Sequence, residues 1–257
     1  MLKFVRAIRK RLDTEIILAT NAIRFAFVNK SRNHPDASWH NAVLKNETEV
    51  ESAIKQIRKL GLPLIKDLPK NWDALAAVDL ILRNTETDAR IFDAGGEVYS
   101  MILPWLALYG YKNLVAGNLV FKKPLRCGPI SYIHSDITQT GFEPESFDAV
   151  TCMSVIEHGV NLRDYFREMA RILKAGGVLV TSADYFETPI DTSGLCAYGS
   201  PIHIFSKDEI ISALAIAAEY GLEPISPLDP TSCNKVARWK RFGLDYTFIV
   251  FSLRKSA

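Results

Sequence analysis

Small and acidic residues follow a short apolar segment near the middle of this chain. The sequence there reads Asp93-Ala94-Gly95-Gly96-Glu97. Adjacent glycines let the backbone turn sharply and approach a ligand, and a helix that begins after them presents free N–H groups to a polar group. A tight strand-to-helix turn that binds nothing also explains the glycines. The segment therefore predicts either a ligand-binding loop or a plain turn.

Residues that could accept a proton follow two later apolar segments. His158 comes after residues 147–153, and Asp184 and Tyr185 come after residues 177–182. A histidine titrates near neutral pH, which suits the role of a general base. The alternatives are a capping or supporting role for His158, a turn role for Asp184 and a packing role for Tyr185.

The elements that must position these residues alternate between short apolar strands and amphipathic helices, which is typical of a parallel α/β sheet. We predict strands over residues 90–93, 113–117, 131–134, 147–153 and 177–182, and helices over 99–109, 162–173 and 207–220. Residues 235–240 and 245–253 predict a closing antiparallel pair of strands. Ligands bind beyond the carboxyl ends of such strands, where the candidate residues lie.

The first third of the chain is helical and more polar. Thr48-Glu49-Val50-Glu51 predicts a capping box and a helix that stops at Gly61, and residues 72–82 predict a second helix that lies on the sheet. Ser206 and Glu209 predict another capping box at the start of the helix over 207–220. We predict an N-terminal helical extension over residues 1–70 and one domain over residues 71–257.

Composition limits the function classes. The chain has 257 residues, a hydrophobic fraction of 48% and a formal charge of +2, so a folded core is feasible and no global field favours nucleic acid. Four cysteines occur singly, which indicates a reducing, cytoplasmic location and no metal site. No apolar run is long enough to span a bilayer. The basic segment over residues 3–11 predicts either a solvated helix or contact with a membrane surface or partner.

Further motifs follow in a fixed order. Asp93-Ala94-Gly95 is followed by Asp136, by Ser146-Phe147-Asp148-Ala149-Val150, by Glu157-His158, and by Arg171-Ile172-Leu173-Lys174-Ala175-Gly176-Gly177. The stretch over residues 91–181 thus resembles the class I S-adenosylmethionine-dependent methyltransferases, in particular the small-molecule group with a type 11-like domain. The resemblance implies a Rossmann-like, doubly wound sheet of seven strands that are mostly parallel, with an antiparallel last strand.

The resemblance also implies a cofactor and a reaction. S-adenosylmethionine would donate a methyl group to a small-molecule or sugar-containing acceptor. The cofactor-binding residues it implies are Asp93, Gly95, Gly96, Glu97, Asn118, Asp136, Ile137 and Met153. The candidates for acceptor chemistry are His158, Asp184 and Tyr185. The long connection over residues 186–205, which contains Tyr198 and His203, predicts a lid or a binding segment.

The chain departs from the family pattern at the loop and after the second strand. Glu97 stands where a second loop glycine is usual, and Tyr99 where a third is usual. Asn118 replaces the acid that binds both ribose hydroxyls, and the loss of a charge-assisted hydrogen bond costs on the order of 1 kcal/mol. A non-catalytic binding module with altered cofactor affinity is therefore the alternative. A nicotinamide-dependent oxidoreductase requires G-x-G-x-x-G, which residues 95–100 do not supply.

Overall fold

The computed structural model describes residues 2–26, 33–232 and 234–256, with side chains of the first segment described from residue 12 onward. The basic side chains of residues 3–11 and Cys233 lie outside the described residues. No helix within the described ranges is long and apolar enough to cross a membrane. Cys127, Cys152 and Cys196 are free thiols.

Helices and strands alternate from the middle of the chain onward. The helices are α1 (Leu2–Phe25), α2 (Glu47–Lys59), α3 (Lys70–Asn84), α4 (Ile102–Leu108), α5 (Leu162–Ile172) and α6 (Lys207–Ala218). The strands are β1 (Ala42–Val43), β2 (Arg90–Ala94), β3 (Asn113–Gly117), β4 (Leu125–Cys127), β5 (Ile130–Ile133), β6 (Phe147–Met153), β7 (Leu173–Tyr185), β8 (Cys196–Ala197), β9 (Ser200–Pro201), β10 (Leu222–Pro224), β11 (Ala237–Trp239) and β12 (Leu244–Lys255).

The main sheet has the order β4-β5-β3-β2-β6-β7-β12-β1, and β10 and β11 also pair with β12. The five central strands β5, β3, β2, β6 and β7 are parallel, whereas β12 is antiparallel to β7. The predicted mostly parallel α/β sheet with an antiparallel last strand is confirmed, but in the described residues the sheet has ten strands rather than seven. The chain leaves β2 toward β3 and later returns to β6 on the other side, so the topological switch point lies between β2 and β6.

Hydrophobic side chains cover both faces of the sheet. One cluster joins the sheet to α2, α3 and α4, and a second joins it to α5 and α6. Central strands buried on both faces are expected to be mostly apolar, and β6 is apolar except at Asp148 and Thr151. Polar residues at the carboxyl ends of the strands, such as Asp93 and Asp184, are therefore candidates for a functional role.

Two boundaries differ from the sequence predictions in ways that affect the site. α3 begins at Lys70 rather than at residue 72, and β7 extends to Tyr185 rather than ending at residue 182. The last residues of β7 stay in the strand because they pair with β12 as far as Thr247. The extension places Asp184 within the sheet rather than in a loop after it.

Helix starts show one wrong prediction and one confirmed. Asn46, not Thr48, caps α2, since its side chain accepts the Glu49 N–H at 3.0 Å. An asparagine directly before a helix can accept a hydrogen bond from a backbone N–H of the first turn, which has no carbonyl partner within the helix. At α6 the Glu209 carboxylate accepts the Ser206 backbone N–H at 2.8 Å, as the capping box predicts.

Candidate active site

The glycine loop after β2 is held between the ends of β3 and β6. Gly95 has a φ of +86°, and a side chain there would collide with Val155, which follows β6. The Gly95 N–H donates to the Gly117 carbonyl at 2.8 Å, and the Asn118 amide donates to the Gly95 carbonyl at 2.6 Å. Only glycine fits this position without strain, because the backbone is left-handed and crowded.

Acidic groups lie at both ends of this loop. Asp93 is 3% exposed, accepts the Thr151 hydroxyl at 2.8 Å and has its pKa raised to about 6 by burial. Glu97 is half-buried, and its carboxylate accepts the Tyr99 hydroxyl at 3.1 Å. The loop thus offers one carboxyl inside the protein and one near its surface.

The residues predicted to contact a nucleoside lie at the ends of β3 and β5. Asp136 is exposed and accepts the backbone N–H of Thr138 at 2.8 Å, while Ile137 is buried behind it. The Ser135 hydroxyl is buried and lacks a hydrogen-bond partner among the described residues. The Asn118 amide is already used to hold the loop. The Asn118 side-chain oxygen also accepts the Val120 N–H at 3.1 Å. A ribose hydroxyl would therefore compete with bonds that Asn118 already makes within the chain.

His158 lies at the opposite side of the switch point, after β6 and the half-buried Met153. Its Nδ1 atom is buried without a hydrogen-bond partner among the described residues. Burial and the nearby Lys70 ammonium lower the pKa of His158, so the imidazole is neutral at neutral pH. The ring meets Tyr198 edge-on, with centroids 5.6 Å apart. The structure therefore presents a neutral imidazole with a free nitrogen at this edge.

Lys70, at the start of α3, reaches into the same region. Its ammonium contacts the Ser154 hydroxyl, lies 3.6 Å from the Asp184 carboxylate and sits 3.5 Å from the centroid of the Phe248 ring. Its side chain is 19% exposed. A lysine this buried is found where carboxylates compensate its charge.

Three buried carboxyl groups surround this single ammonium. Asp184 and Glu157 lie close enough to affect each other's pKa, and Asp73 accepts the Ser182 hydroxyl at 2.7 Å. Burial raises the pKa of all three acids; for Asp184 the value is about 6. One oxygen of Glu157 is buried without a partner among the described residues. Raised pKa values of several neighbouring acids are typical of functional sites.

The structure separates the two residues predicted after β7. Asp184 belongs to the buried cluster around Lys70, with the Tyr246 hydroxyl also donating to it. Tyr185 is fully buried on the other face of the strand, and its hydroxyl donates to the Pro230 carbonyl. Successive strand residues point to opposite faces, so Tyr185 has the packing position that the sequence left open for it.

Sequence reasoning missed several residues of this edge. Lys70 and Asp73 lie far from the motifs along the chain, and no local spacing connects them to β6 or β7. Ser154 has a φ of +54°, a strained conformation for a residue other than glycine. Strain of this kind clusters at functional sites, but no sequence pattern reveals it. No group of side chains in the described part of the chain could hold a metal ion.

A family model matches part of the chain. Residues 109–181 match the model described as "Methyltransferase domain". The matched segment runs from the end of α4 to the middle of β7. It therefore includes Asn118, Asp136 and His158.

Solved structures share the fold. An S-adenosylmethionine-dependent methyltransferase from Mesorhizobium loti is 18% identical, with a TM-score of 0.51 over 72% of this chain and 98% of that chain. The 1,6-didemethyltoxoflavin-N1-methyltransferase of Burkholderia thailandensis is 16% identical, with a TM-score of 0.52 over 88% of this chain and 93% of that chain. The second structure contains 1,6-didemethyltoxoflavin and S-adenosylhomocysteine.

A local sequence match adds one curated relative. A sterol 24-C-methyltransferase from Clavispora lusitaniae is 43% identical over 49 residues. The match spans 19% of this chain and 13% of that relative's length.

Proposed function

We propose that this chain, a class I S-adenosylmethionine-dependent methyltransferase, transfers a methyl group to a small-molecule or sugar-containing acceptor at the carboxyl edge of its sheet. The observation that carries the proposal is the free, neutral imidazole nitrogen of His158 on the same edge as the Gly95 loop. The small-molecule ligand in the Burkholderia thailandensis structure supports an acceptor of that size.

The residues present fit the cofactor. Unpartnered polar atoms of Ser135 and His158 lie after β5 and after β6, with β3 and β2 between those strands, and buried polar groups are rarely left without partners. The amino-acid end of the cofactor would be held by Asp93, Gly95, Gly96 and Glu97. Its nucleoside would be held by Asn118, Ser135, Asp136 and Ile137, and its centre by Met153.

S-adenosylmethionine, when bound, supplies a methyl group on a positively charged sulfur, which is a good leaving group. The protein then has to hold the acceptor in line and exclude water. The imidazole of His158 accepts a proton from the acceptor's hydroxyl or N–H as the acceptor takes up the methyl group. The lowered pKa of His158 keeps the imidazole in its basic, uncharged form before that step.

The carboxyl cluster positions this base. Glu157 precedes His158, and its backbone carbonyl accepts the His203 N–H at 2.9 Å, which ties the segment after β6 to the long connection after β7. Asp184 and Glu157 are buried and interact with Lys70, which in turn lies near His158. We assign Asp184 a positioning role rather than direct contact with the acceptor.

One observation favours the alternative of a non-catalytic binding module. The Asn118 amide and the Asp93 carboxyl are already bonded within the chain, so a ligand would have to compete with those bonds. A module of this kind would bind S-adenosylhomocysteine weakly and release no product.

Two measurements test the proposed function. Isothermal titration calorimetry should detect S-adenosylhomocysteine binding below millimolar concentration, and absence of heat at millimolar ligand contradicts the proposal. Mass spectrometry should then detect S-adenosylhomocysteine released from S-adenosylmethionine in the presence of hydroxyl and N–H acceptors. His158→Ala should lower that turnover by about 100-fold with little change in cofactor affinity. An equal loss of both would make His158 a structural residue.

A further inference from the structure

Aromatic side chains from three separate segments gather around His158. Tyr198 comes from the turn between β8 and β9, Trp239 from β11, and Tyr99 from the loop after β2. The His158 ring is edge-on to Tyr198 at 5.6 Å and to Trp239 at 6.4 Å between centroids. Tyr99 is close enough to Tyr198 for the two hydroxyls to affect each other. We call these residues the aromatic mouth.

Two members of the aromatic mouth are exposed. Tyr198 is 86% exposed and Tyr99 is 59% exposed, whereas Trp239 is half-buried. Large apolar surfaces that stand together in the open mark binding sites more often than isolated exposed residues do. The exposed faces of the two tyrosines lack a covering group within the described part of the chain.

The backbone of Tyr198 is strained. Its φ is +55°, a conformation that bulky residues rarely adopt, and Gly199 follows it in the same turn with a φ of +88°. A glycine or asparagine would be the relaxed choice at this turn position. A tyrosine held here at a cost in free energy indicates that its ring, placed beside His158, serves a purpose.

We propose that the acceptor is a flat, unsaturated ring compound that lies against the exposed faces of Tyr99 and Tyr198 and presents a ring hydroxyl or ring N–H to His158. The inference rests on the proposed function and names its substrate class. Aromatic rings prefer aromatic partners in stacked or edge-on arrangements beyond what their buried area provides, so saturated rings of equal size bind less tightly.

A pair of probes tests the ring requirement. The protein saturated with S-adenosylhomocysteine is titrated by calorimetry with 2-naphthol and with its saturated counterpart 2-decalol, which differ in flatness and share one hydroxyl. We expect 2-naphthol to bind about 10-fold more tightly. Tyr198→Ala and, separately, Tyr99→Ala should abolish that difference by weakening 2-naphthol alone.

Matched variants keep the result interpretable. Tyr220→Ala, in the turn after α6 and away from the aromatic mouth, should leave the preference for 2-naphthol unchanged. Tyr198→Phe should retain it, because the ring rather than the hydroxyl carries the effect. Thermal melting of each variant checks folding, and Tyr198 lies on an exposed turn where truncation costs little packing.

The possible outcomes test the ring inference and the proposed function separately. Binding of S-adenosylhomocysteine with equal affinities for 2-naphthol and 2-decalol overturns the ring inference and leaves the proposed function standing. A preference that survives both Tyr198→Ala and Tyr99→Ala also overturns it. Failure to bind S-adenosylhomocysteine overturns the proposed function and, with it, the assignment of an acceptor.

Discussion

The two edges of the parallel sheet carry charged residues in different arrangements. At the amino edge, Asp148 pairs with Lys174 at 2.7 Å, with both side chains partly exposed. At the carboxyl edge, Asp73, Glu157 and Asp184 are buried around Lys70 alone. Solvated one-to-one ion pairs contribute little to stability or chemistry, whereas several buried acids around one base alter each other's protonation.

The cavities of the structure lie away from the candidate site. A cavity of about 590 Å³ opens at the amino edge beside Asp148 and Lys174, and a smaller one of about 420 Å³ lies in the connection after β7. The unpartnered atoms of Ser135, Glu157 and His158 lie at the carboxyl edge instead. The Ser146 hydroxyl, directly before β6 at the amino edge, is also buried without a partner among the described residues, so unsatisfied polar groups favour the carboxyl edge only by their number.

Removing the lysine at each edge should give the largest difference. Lys70→Met leaves buried carboxyl groups without their cation, and we expect a loss of about 3 to 5 kcal/mol in the free energy of unfolding at pH 8. The loss should shrink at pH 5, because the raised pKa values let the acids bind protons there. Lys174→Met should cost less than about 1 kcal/mol. Urea denaturation of both variants measures these changes in the free energy of unfolding. Equal losses in the two variants would contradict the difference between the two edges.

Glycine positions provide the second comparison. Gly95 and Gly176 both have positive φ, but a Cβ at Gly95 would collide with Val155, while a Cβ at Gly176 meets nothing within 4 Å. Gly95→Ala should weaken S-adenosylhomocysteine binding at least about 100-fold, or about 3 kcal/mol, because the loop must shift. Gly176→Ala carries similar backbone strain and should bind normally. Calorimetry measures both affinities for S-adenosylhomocysteine. An unchanged affinity of the Gly95→Ala variant would mean that the loop does not contribute to the site.

The buried Asp93 should make stability depend on pH. Its pKa is about 6 in the folded protein and 3.8 when solvated, so the stabilisation is complete below pH 4 and is lost as the pH rises through 6. Asp93→Asn should therefore reduce the fall in unfolding free energy between pH 4 and pH 7 by about 3 kcal/mol. The partly exposed Asp148→Asn serves as control. A pH profile unchanged by Asp93→Asn would mean that Asp93 is not protonated in the fold.

Changing Asp136, at the predicted nucleoside end of the cofactor site, should have the smallest of these effects. Asp136→Ala removes one hydrogen-bond acceptor and should weaken S-adenosylhomocysteine binding by about 1 to 2 kcal/mol, roughly 10-fold. Thr138→Val, which removes a hydroxyl that donates to Asp136 within the turn, controls for loop geometry. An identical dissociation constant for Asp136→Ala and the unmodified protein would exclude a role for Asp136 in binding.

Local signals predicted the strands, and distant contacts determined the site. The strands at Asn113–Gly117 and Phe147–Met153 match their predicted limits, because apolar runs bounded by turn residues specify them. Lys70 escaped prediction since its partners lie on β6 and β7, far along the chain. The sequence left Tyr185 between an acceptor-facing and a packing role, and the packing position follows from β7 running to Tyr185, since a strand turns each successive side chain to the other face.

The proposed function requires S-adenosylmethionine to bind at the carboxyl edge of the sheet. A crystal structure with S-adenosylhomocysteine tests this most directly. We predict density beside the Gly95 loop, extending toward Asp136, with the sulfur on the His158 side. Density in the amino-edge cavity near Lys174, or none at millimolar ligand, would contradict it.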